Sequence, residues 1–425
     1  MVKLAIVGAG VGGCSAAYLA NKLLPEPDVT VYEMSGRVGG RVLTRYEEHM
    51  KLEMGATFLT PLNKTILGFV KDFGLEMEKT AGSTDFAVWN GSEIVLNSNQ
   101  HMMQTILKLI LRYKSSATRM LSILREAKQQ ISRLYELDDD NSNEISEAFK
   151  RTGLEAWHKR SLSHLLTERG VDEGFIDEVV TPITRTIYSQ NAEIGGFAGL
   201  SSILGVYDGQ SYSLSDGNSV LPIRLLERSG AEIRLAQRVN AIEKTTEGSY
   251  RVCTSKETRV FDALIVATPL EHSGFKFDDI ETGTQAPVQY KTVHRTVMRG
   301  LINPTYFGLP ESAKLPSMIL TTKEADPMTH ISIQRYMNGD SLLSISSTEP
   351  LGTGLLDGIM TRRQTVLEFR WQAAYPVFKP LQELPKTHLD RRLVYLNAIE
   401  SAASSMESSA FAASMAVRII SSELN

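Results

Sequence analysis

Four glycines (Gly8, Gly10, Gly12 and Gly13), an acid at Glu33 and two arginines at Arg37 and Arg41 are the first residues of this chain whose types and spacing could do chemistry. What they can do is hold phosphate and ribose. Gly8 permits a tight turn, Gly10 lets the backbone approach a pyrophosphate, and Gly13 lets a helix lie close against the preceding strand. The phosphates then sit at the positive N-terminus of a helix over 12–24. Glu33, with Met34 beside it, follows about 20 residues beyond the glycines, the offset at which an acid takes ribose hydroxyls. In Gly36-Arg37-Val38-Gly39-Gly40-Arg41 the glycines clear space for a long cofactor, and an arginine offers a planar fork to phosphate oxygens. The bland alternatives are a ligand-free strand-to-helix turn and an arginine-glycine surface turn.

The elements that must position these residues can be read from the pattern. The apolar run 3–7 suits a buried parallel strand, 28–32 suits its neighbour, and together with 12–24 they make a βαβ unit. A helix is expected over 63–75, and Asn90-Gly91 between 85–89 and 93–96 signals a hairpin. The longest helical stretch, 101–137, pairs an apolar face with a basic one; it reads as a core-facing helix with a solvated basic face or as one lying on a lipid surface. The run Asp138-Asp139-Asp140 breaks it and lacks the glycine and distal glutamate of a calcium loop, so no metal is expected. Helices over 145–152, 155–169 and 172–188 follow. The glycine-rich run 195–200 reads as close helix packing or as backbone approaching a ligand. A turn at Asp216-Gly217-Asn218 precedes a helix from Val220; strands are expected at 231–235, 238–242, 250–254, 259–267, 294–300, 342–346 and 392–397, and a last helix over 405–421.

Composition bounds the function. With 425 residues and 42% hydrophobic content the chain can bury a sizeable core in two or three domains. A net charge of −4 lacks the basic excess of broad nucleic-acid binders. Two cysteines, Cys14 and Cys253, exclude a disulfide framework. Because the first strand begins almost at Met1, the chain as written is expected to be cytoplasmic, and lysosomal or secretory if a leader was trimmed.

NAD and FAD share the βαβ unit, and the following residues discriminate between them. Gly36 to Arg41, then Glu53-Met54-Gly55-Ala56-Thr57-Phe58, resemble the second glycine motif and the Gly-Ala segment of the flavin-containing amine oxidase superfamily. That resemblance implies FAD, with Gly40 and Arg41 near the pyrophosphate, Gly55, Ala56 and Thr57 beside the isoalloxazine, and Val239 holding adenine through its backbone. Val266-Ala267-Thr268-Pro269 matches the superfamily's return to the nucleotide domain, which adds Thr268 and Pro269 to the cofactor set. Glu400 is expected at ribityl or phosphate, and the helix start at Ser405-Met406 at the flavin C2 carbonyl. His294 lies where amine oxidases often carry a lysine, and is the candidate for assisting the flavin. The fold expected is α/β: a Rossmann-like FAD-binding domain from 1–78, 228–272 and 388–425, and a mixed-sheet and helical substrate domain from 79–227 and 273–387 with a helical insertion at 101–188.

The run Leu393-Val394-Tyr395-Leu396-Asn397-Ala398-Ile399-Glu400-Ser401-Ala402-Ala403, continuing to Ala410, is similar to the ending of prenylcysteine oxidases, also called prenylcysteine lyases. The similarity reaches back through Trp371 to Pro376 and the stretch ending Ser132-Arg133-Leu134-Tyr135. It implies oxidation of an S-prenylated cysteine at the allylic carbon next to sulfur, with water and molecular oxygen consumed and cysteine, a prenyl aldehyde and hydrogen peroxide released. A thioether has no acidic proton that must leave first, so positioning in a dry pocket would supply much of the rate. The segment Arg295-Thr296-Val297-Met298-Arg299 diverges from that pattern. This keeps open an oxidase or oxidative cyclase for a prenylated or terpenoid metabolite. A non-catalytic FAD-containing protein associated with lipid or membrane, touching it through 101–137, is the reading from a different class.

Overall fold

Strand Val2–Val7 lies at the centre of a six-stranded sheet, flanked by Ala263–Val266 on one side and Pro27–Tyr32 on the other, all parallel. The computed structural model describes residues 1–47, 49–80, 85–98, 112–113, 115–137, 144–207, 210–278, 280, 288–336 and 339–424. Leu393–Tyr395 and Glu232–Arg234 extend the parallel set outward, and His388–Asp390 closes one edge antiparallel. Leu4, Ile6, Val31, Leu264, Ile265 and Val394 are fully buried, as a parallel sheet covered on both faces requires. The helix Val11–Leu23 leaves the first strand directly and packs on Val220–Ser229 and Met406–Leu424. Its Tyr18 meets Phe69 and Phe73 edge-on, seating Lys64–Asp72 beside it.

A seven-stranded mixed sheet forms the second layer, in the order Met360–Pro376, Tyr290–Ile302, Ser341–Ser347, Met328–Arg335, Met318–Thr321, Phe86–Trp89, Ile94–Asn97. The last two strands are the hairpin expected around Asn90-Gly91, with Gly91 at a φ of 95°. Thr181–Tyr188 packs on Met318–Thr321 and Met328–Arg335 of this sheet; Gly196–Tyr207 packs on Thr181–Tyr188, Leu162–Glu168 and Ser116–Glu136, and Ile145–Thr152 on Ser116–Glu136. Among the described residues no helix is long and apolar enough to cross a membrane.

Several expected elements come out differently. The strand expected over 259–267 is two, Thr258–Phe261 in a four-stranded sheet and Ala263–Val266 in the nucleotide sheet. Between them Asp262 is clamped to Lys3, its amide donating to the Lys3 carbonyl at 2.8 Å and its carboxylate accepting from the Lys3 amide at 2.8 Å. The helix expected over 155–169 breaks at Ser161, whose Oγ accepts the His164 amide and starts Leu162–Glu168. The strand expected to run through Asn397 stops at Tyr395 and tightens into the 3-10 turn Leu396–Ser401. The glycines of 195–200 serve close packing: a Cβ on Gly196 would lie 2.3 Å from Leu165 Cδ1, and one on Gly199 2.5 Å from Leu162 Cδ2. Residues 101–111 and 114 of the stretch expected to form the long basic helix, and the acidic run 138–143, lie outside the described residues.

Candidate active site

A cavity of about 600 Å³ runs between the two sheets. One end is the glycine turn. Gly8, at a φ of 109°, abuts the Ala267 carbonyl, and a Cβ on Gly13 would lie 1.9 Å from the Gly8 carbonyl oxygen, so both glycines are demanded by the fold itself. Gly10 is different. A Cβ there would meet nothing nearer than Gly40 Cα at 4.0 Å and would project into the cavity, so the protein leaves room beside the backbone where a diphosphate would lie. Gly12, Glu33, Met34, Gly40, Val239, Thr268 and Pro269 line this end too. Glu33 braces the turn, its two oxygens accepting the amides of Ala9 at 2.9 Å and Ser35 at 2.8 Å.

Arg41 also lines the cavity, and it is ion-paired to Glu400. Burial pushes the Glu400 carboxyl up. The Arg41 charge and hydrogen bonds from Asn397 and Ser404 outweigh that and hold it below the usual carboxylate range. Arg41 is held above its ordinary value by the same pairing, against its own desolvation. The pair keeps Arg41 charged and fixed, with its remaining donors available to a phosphate or ribityl oxygen. Glu400 itself is buried behind Arg41 and does not reach the cavity, which corrects the direct contact expected of it.

Arg37 is a second correction. Its guanidinium donates to the carbonyls of Val38 at 3.3 Å and Val42 at 3.2 Å and to that of Gly40, so it holds the second glycine loop together and does not line the cavity. The carbonyls of that positive-φ loop need an internal donor, and the nearest arginine supplies it.

The middle of the cavity is the strip Met54, Gly55, Ala56, Thr57. A Cβ on Gly55 would lie 1.8 Å from the Arg41 carbonyl oxygen, so only glycine fits. Trp371 Nε1 donates to the Met54 carbonyl at 2.8 Å, and Asn218 Nδ2 donates to the carbonyls of Ala56 at 2.9 Å and Thr57 at 3.1 Å. Across from this strip stand Ser405 and Met406, at the start of the 19-residue helix Met406–Leu424. Ser405 caps it, its Oγ accepting the Ser408 amide at 3.0 Å, while first-turn amides have no intrahelical acceptor and make a positive end suited to a ring carbonyl.

His294 is a third correction. It is absent from the cavity wall, whereas its neighbours Val293 and Arg295 line it. Side chains alternate along a strand, so the face that presents Val293 and Arg295 inward turns His294 toward Arg370, its partner on Met360–Pro376. Burial and the Arg370 charge together lower its pKa. The residues that pattern reading missed are Arg295, His330 and Ser346. An arginine in register with Val293 and Val297 on one strand face was the available signal.

The far end is apolar, walled by Ile131, Leu134, Ile187, Phe197, Leu204 and Phe411. Tyr135 closes it onto the nucleotide layer, donating to Glu407 Oε1 at 2.7 Å. The Glu407 oxygens also accept the amides of Thr65 at 2.8 Å and Ile66 at 3.0 Å, capping Lys64–Asp72 from the C-terminal helix. Among the described residues no cluster of three His, Cys, Asp or Glu could hold a metal.

A glycine cradle with an acid and a fixed arginine, opening into an apolar chamber, defines an FAD-type oxidoreductase site. The whole chain shares the fold of amine oxidases: a variant of putrescine oxidase superposes with a TM-score of 0.67 at 14% identity, covering 100% of this chain and 99% of that one. Cyclohexylamine oxidase from Brevibacterium oxydans IH-35A does so with 0.67 at 16%, with coverage of 100% and 99%. Residues 6–73 match the NAD(P)-binding Rossmann-like domain and residues 96–425 match prenylcysteine lyase; the chain belongs to the prenylcysteine lyase family. It is 29% identical to farnesylcysteine lyase of Arabidopsis thaliana over 98% of this chain and 87% of that protein. It is 30% identical to a prenylcysteine oxidase 1-like protein of Bos taurus (97% and 88%) and 28% identical to human prenylcysteine oxidase 1 (97% and 87%).

Proposed function

We propose that the chain is an FAD-dependent thioether oxidase that cleaves S-prenylated cysteine. The observation that carries this is one continuous cavity joining the Gly10 cradle to apolar walls, in which a dinucleotide and a long hydrocarbon would meet beside the Met54–Thr57 strip. Bound FAD supplies a two-electron acceptor for the allylic carbon–hydrogen bond next to sulfur. The overall change balances as thioether plus water plus oxygen giving thiol, aldehyde and hydrogen peroxide.

The chain's own residues bind and orient. Gly10 and the Arg41–Glu400 pair would hold the diphosphate and ribityl region, and the helix start at Ser405 and Met406 would offer its amides to a ring carbonyl. Ile131, Leu134, Ile187, Phe197, Leu204 and Phe411 take the isoprenoid, each methylene-sized group buried contributing about 0.8 kcal/mol. That wall also excludes bulk water from the carbon to be oxidised. No side chain has to act as a base before the carbon–hydrogen bond breaks, and Glu407 is committed to Thr65, Ile66 and Tyr135. Aerobic mixing of FAD-loaded protein with S-farnesylcysteine tests the reading: farnesal and hydrogen peroxide should form one to one. Bound flavin that stays oxidised when the same mixture is kept free of oxygen would refute it.

Peripheral membrane contact through 101–137 belongs to the same proposal, since the helix that supplies Ile131 and Leu134 to the apolar wall carries exposed Arg125 and Arg133. Cosedimentation with anionic vesicles that is lost in an Arg125→Glu, Arg133→Glu double variant would support it; equal sedimentation of the two would not.

A further inference from the structure

Arg295 carries a charge into the cavity wall, and no carboxylate among the described residues bonds to it. The residue is 8% exposed, and among the described residues its guanidinium has only neutral partners. Nη1 donates to Ser346 Oγ at 2.7 Å and to His330 Nε2 at 3.0 Å, and Nη2 donates to the Glu53 carbonyl at 2.7 Å. Glu53 is close enough to act electrostatically, yet its carboxylate is engaged by the Asn218 amide at 2.8 Å and by Thr44 Oγ1 at 2.9 Å. Two arginines elsewhere are treated differently: the half-buried Arg41 is paired with Glu400, and the buried Arg185 with Asp326 at 2.6 Å. A desolvated cation left without an anion is costly.

The census of donors says what is missing. A guanidinium has five N–H groups. The three bonds above leave Nε, which is buried without a partner among the described residues, and the second hydrogen of Nη2. Nε and an Nη together form the side-on fork that a carboxylate takes with two parallel bonds. His330 supports the same end. Because Arg295 can only donate, His330 Nε2 must accept, which puts the ring proton on Nδ1, a buried donor that also lacks a partner. Burial and the Arg295 charge push this histidine down to about 3, so it stays neutral and adds a donor without a second charge.

The location fits the reaction. Arg295 holds the carbonyl of Glu53, which leads into the Met54–Thr57 strip, at the junction of the nucleotide and apolar parts of the cavity. In a prenylated cysteine only sulfur, one methylene and the α-carbon separate the carboxylate from the carbon to be oxidised, so the anion must sit within a few ångströms of that carbon. We propose that Arg295, backed by Ser346 and His330, binds the α-carboxylate of the substrate's cysteine moiety and so selects a free amino acid at the polar end of the thioether. This rests on the thioether-oxidase reading given above.

The test compares S-farnesylcysteine with S-farnesylcysteamine, which keeps the chain, the sulfur and the ammonium but has no carboxylate. Equilibrium binding is followed through tryptophan fluorescence on protein whose bound FAD has first been reduced and is kept free of oxygen, so that no turnover occurs, alongside aerobic turnover with oxidised FAD. The cysteamine should bind wild-type protein about 10- to 100-fold more weakly, as expected for loss of a charge-assisted pair. Arg295→Met should bind both ligands with the weaker affinity, and Arg295→Lys should restore part of the difference. The wild-type comparison needs no variant, so misfolding of Arg295→Met leaves the test standing. Equal binding of the two ligands by wild-type protein overturns the proposal while leaving the oxidase reading intact; binding without oxidation of either overturns the oxidase reading instead. Preserved discrimination in Arg295→Met, with a shifted flavin reduction potential, overturns it by assigning the cation to the cofactor.

Discussion

Arg41, in the second glycine loop, is locked to Glu400, in the 3-10 turn Leu396–Ser401, and that turn precedes the helix start facing the middle of the cavity. The pair ties the cavity-lining arginine to the C-terminal segment. Glu400→Gln should therefore loosen FAD and destabilise the chain by about 2–4 kcal/mol, because Arg41 is left without its anion. Fluorescence titration of FAD and urea unfolding measure both, and an unchanged midpoint would contradict the bracing role. The carboxyl is depressed in the folded state, so the unfolded chain binds its proton first: the stability it provides is present above the ordinary value of 4.5 and is lost as pH falls toward the folded value. The acid limb of wild-type stability should be steeper than that of Glu400→Gln.

Two glycines should fail in opposite ways. Gly10→Val puts its side chain where only Gly40 Cα, 4.0 Å from the added Cβ, stands near, so the apoprotein should fold with wild-type circular dichroism and come off the column colourless. Gly55→Ala drives a Cβ to 1.8 Å from the Arg41 carbonyl oxygen and should cost about 1–3 kcal/mol of folding stability with or without flavin. A yellow Gly10→Val protein would mean the cradle lies elsewhere.

Glu33→Ala should weaken FAD and also the apoprotein. Its carboxylate holds the amides of Ala9 and Ser35, and charged hydrogen bonds of this kind contribute about 1.5–3 kcal/mol each before relaxation. Thermal melts of the apoprotein decide the second half; an unshifted melting temperature would limit Glu33 to ribose.

His294→Ala should leave kcat and kcat/KM for S-farnesylcysteine within about twofold of wild type, since surface changes away from a site are nearly neutral. A drop of a hundredfold would put the imidazole back beside the reacting carbon.

Gly205 lines the apolar end, and a Cβ there meets nothing within 4 Å. Gly205→Leu should fill part of the cavity without straining its helix, which gains about 1 kcal/mol of propensity. The expected result is roughly a tenfold fall in kcat/KM for geranylgeranylcysteine and a smaller one for farnesylcysteine, because each buried methylene that is displaced loses about 0.8 kcal/mol. Equal losses for both chains would place the isoprenoid elsewhere.

The nucleotide layer was legible because its signals are local: an apolar run, glycines whose φ or close contacts admit no side chain, and an acid at a fixed offset. The roles of Arg37 and Glu400 were not. Whether an arginine faces a ligand or its own loop's carbonyls depends on backbone geometry that spacing does not encode, and Glu400 acts through a residue far away in the chain. That Arg295 and not His294 lines the cavity was hidden for a related reason. Tyr290–Ile302 is covered on both faces, with Val293 and Val297 on one and Thr296 and Met298 on the other all buried, so hydrophobicity does not reveal which face meets the cavity. The split of 259–267 at Asp262 depends on Lys3, which no window of sequence around Asp262 contains.

The central sheet sets the timetable of biosynthesis. Val2–Val7 can pair early with Pro27–Tyr32, but its other neighbour is Ala263–Val266, which in turn waits for Leu393–Tyr395. Translation must therefore deliver residues 393–395 from the ribosome before the dinucleotide layer is complete, and until then an apolar strand edge stands open to chaperones and to neighbouring nascent chains.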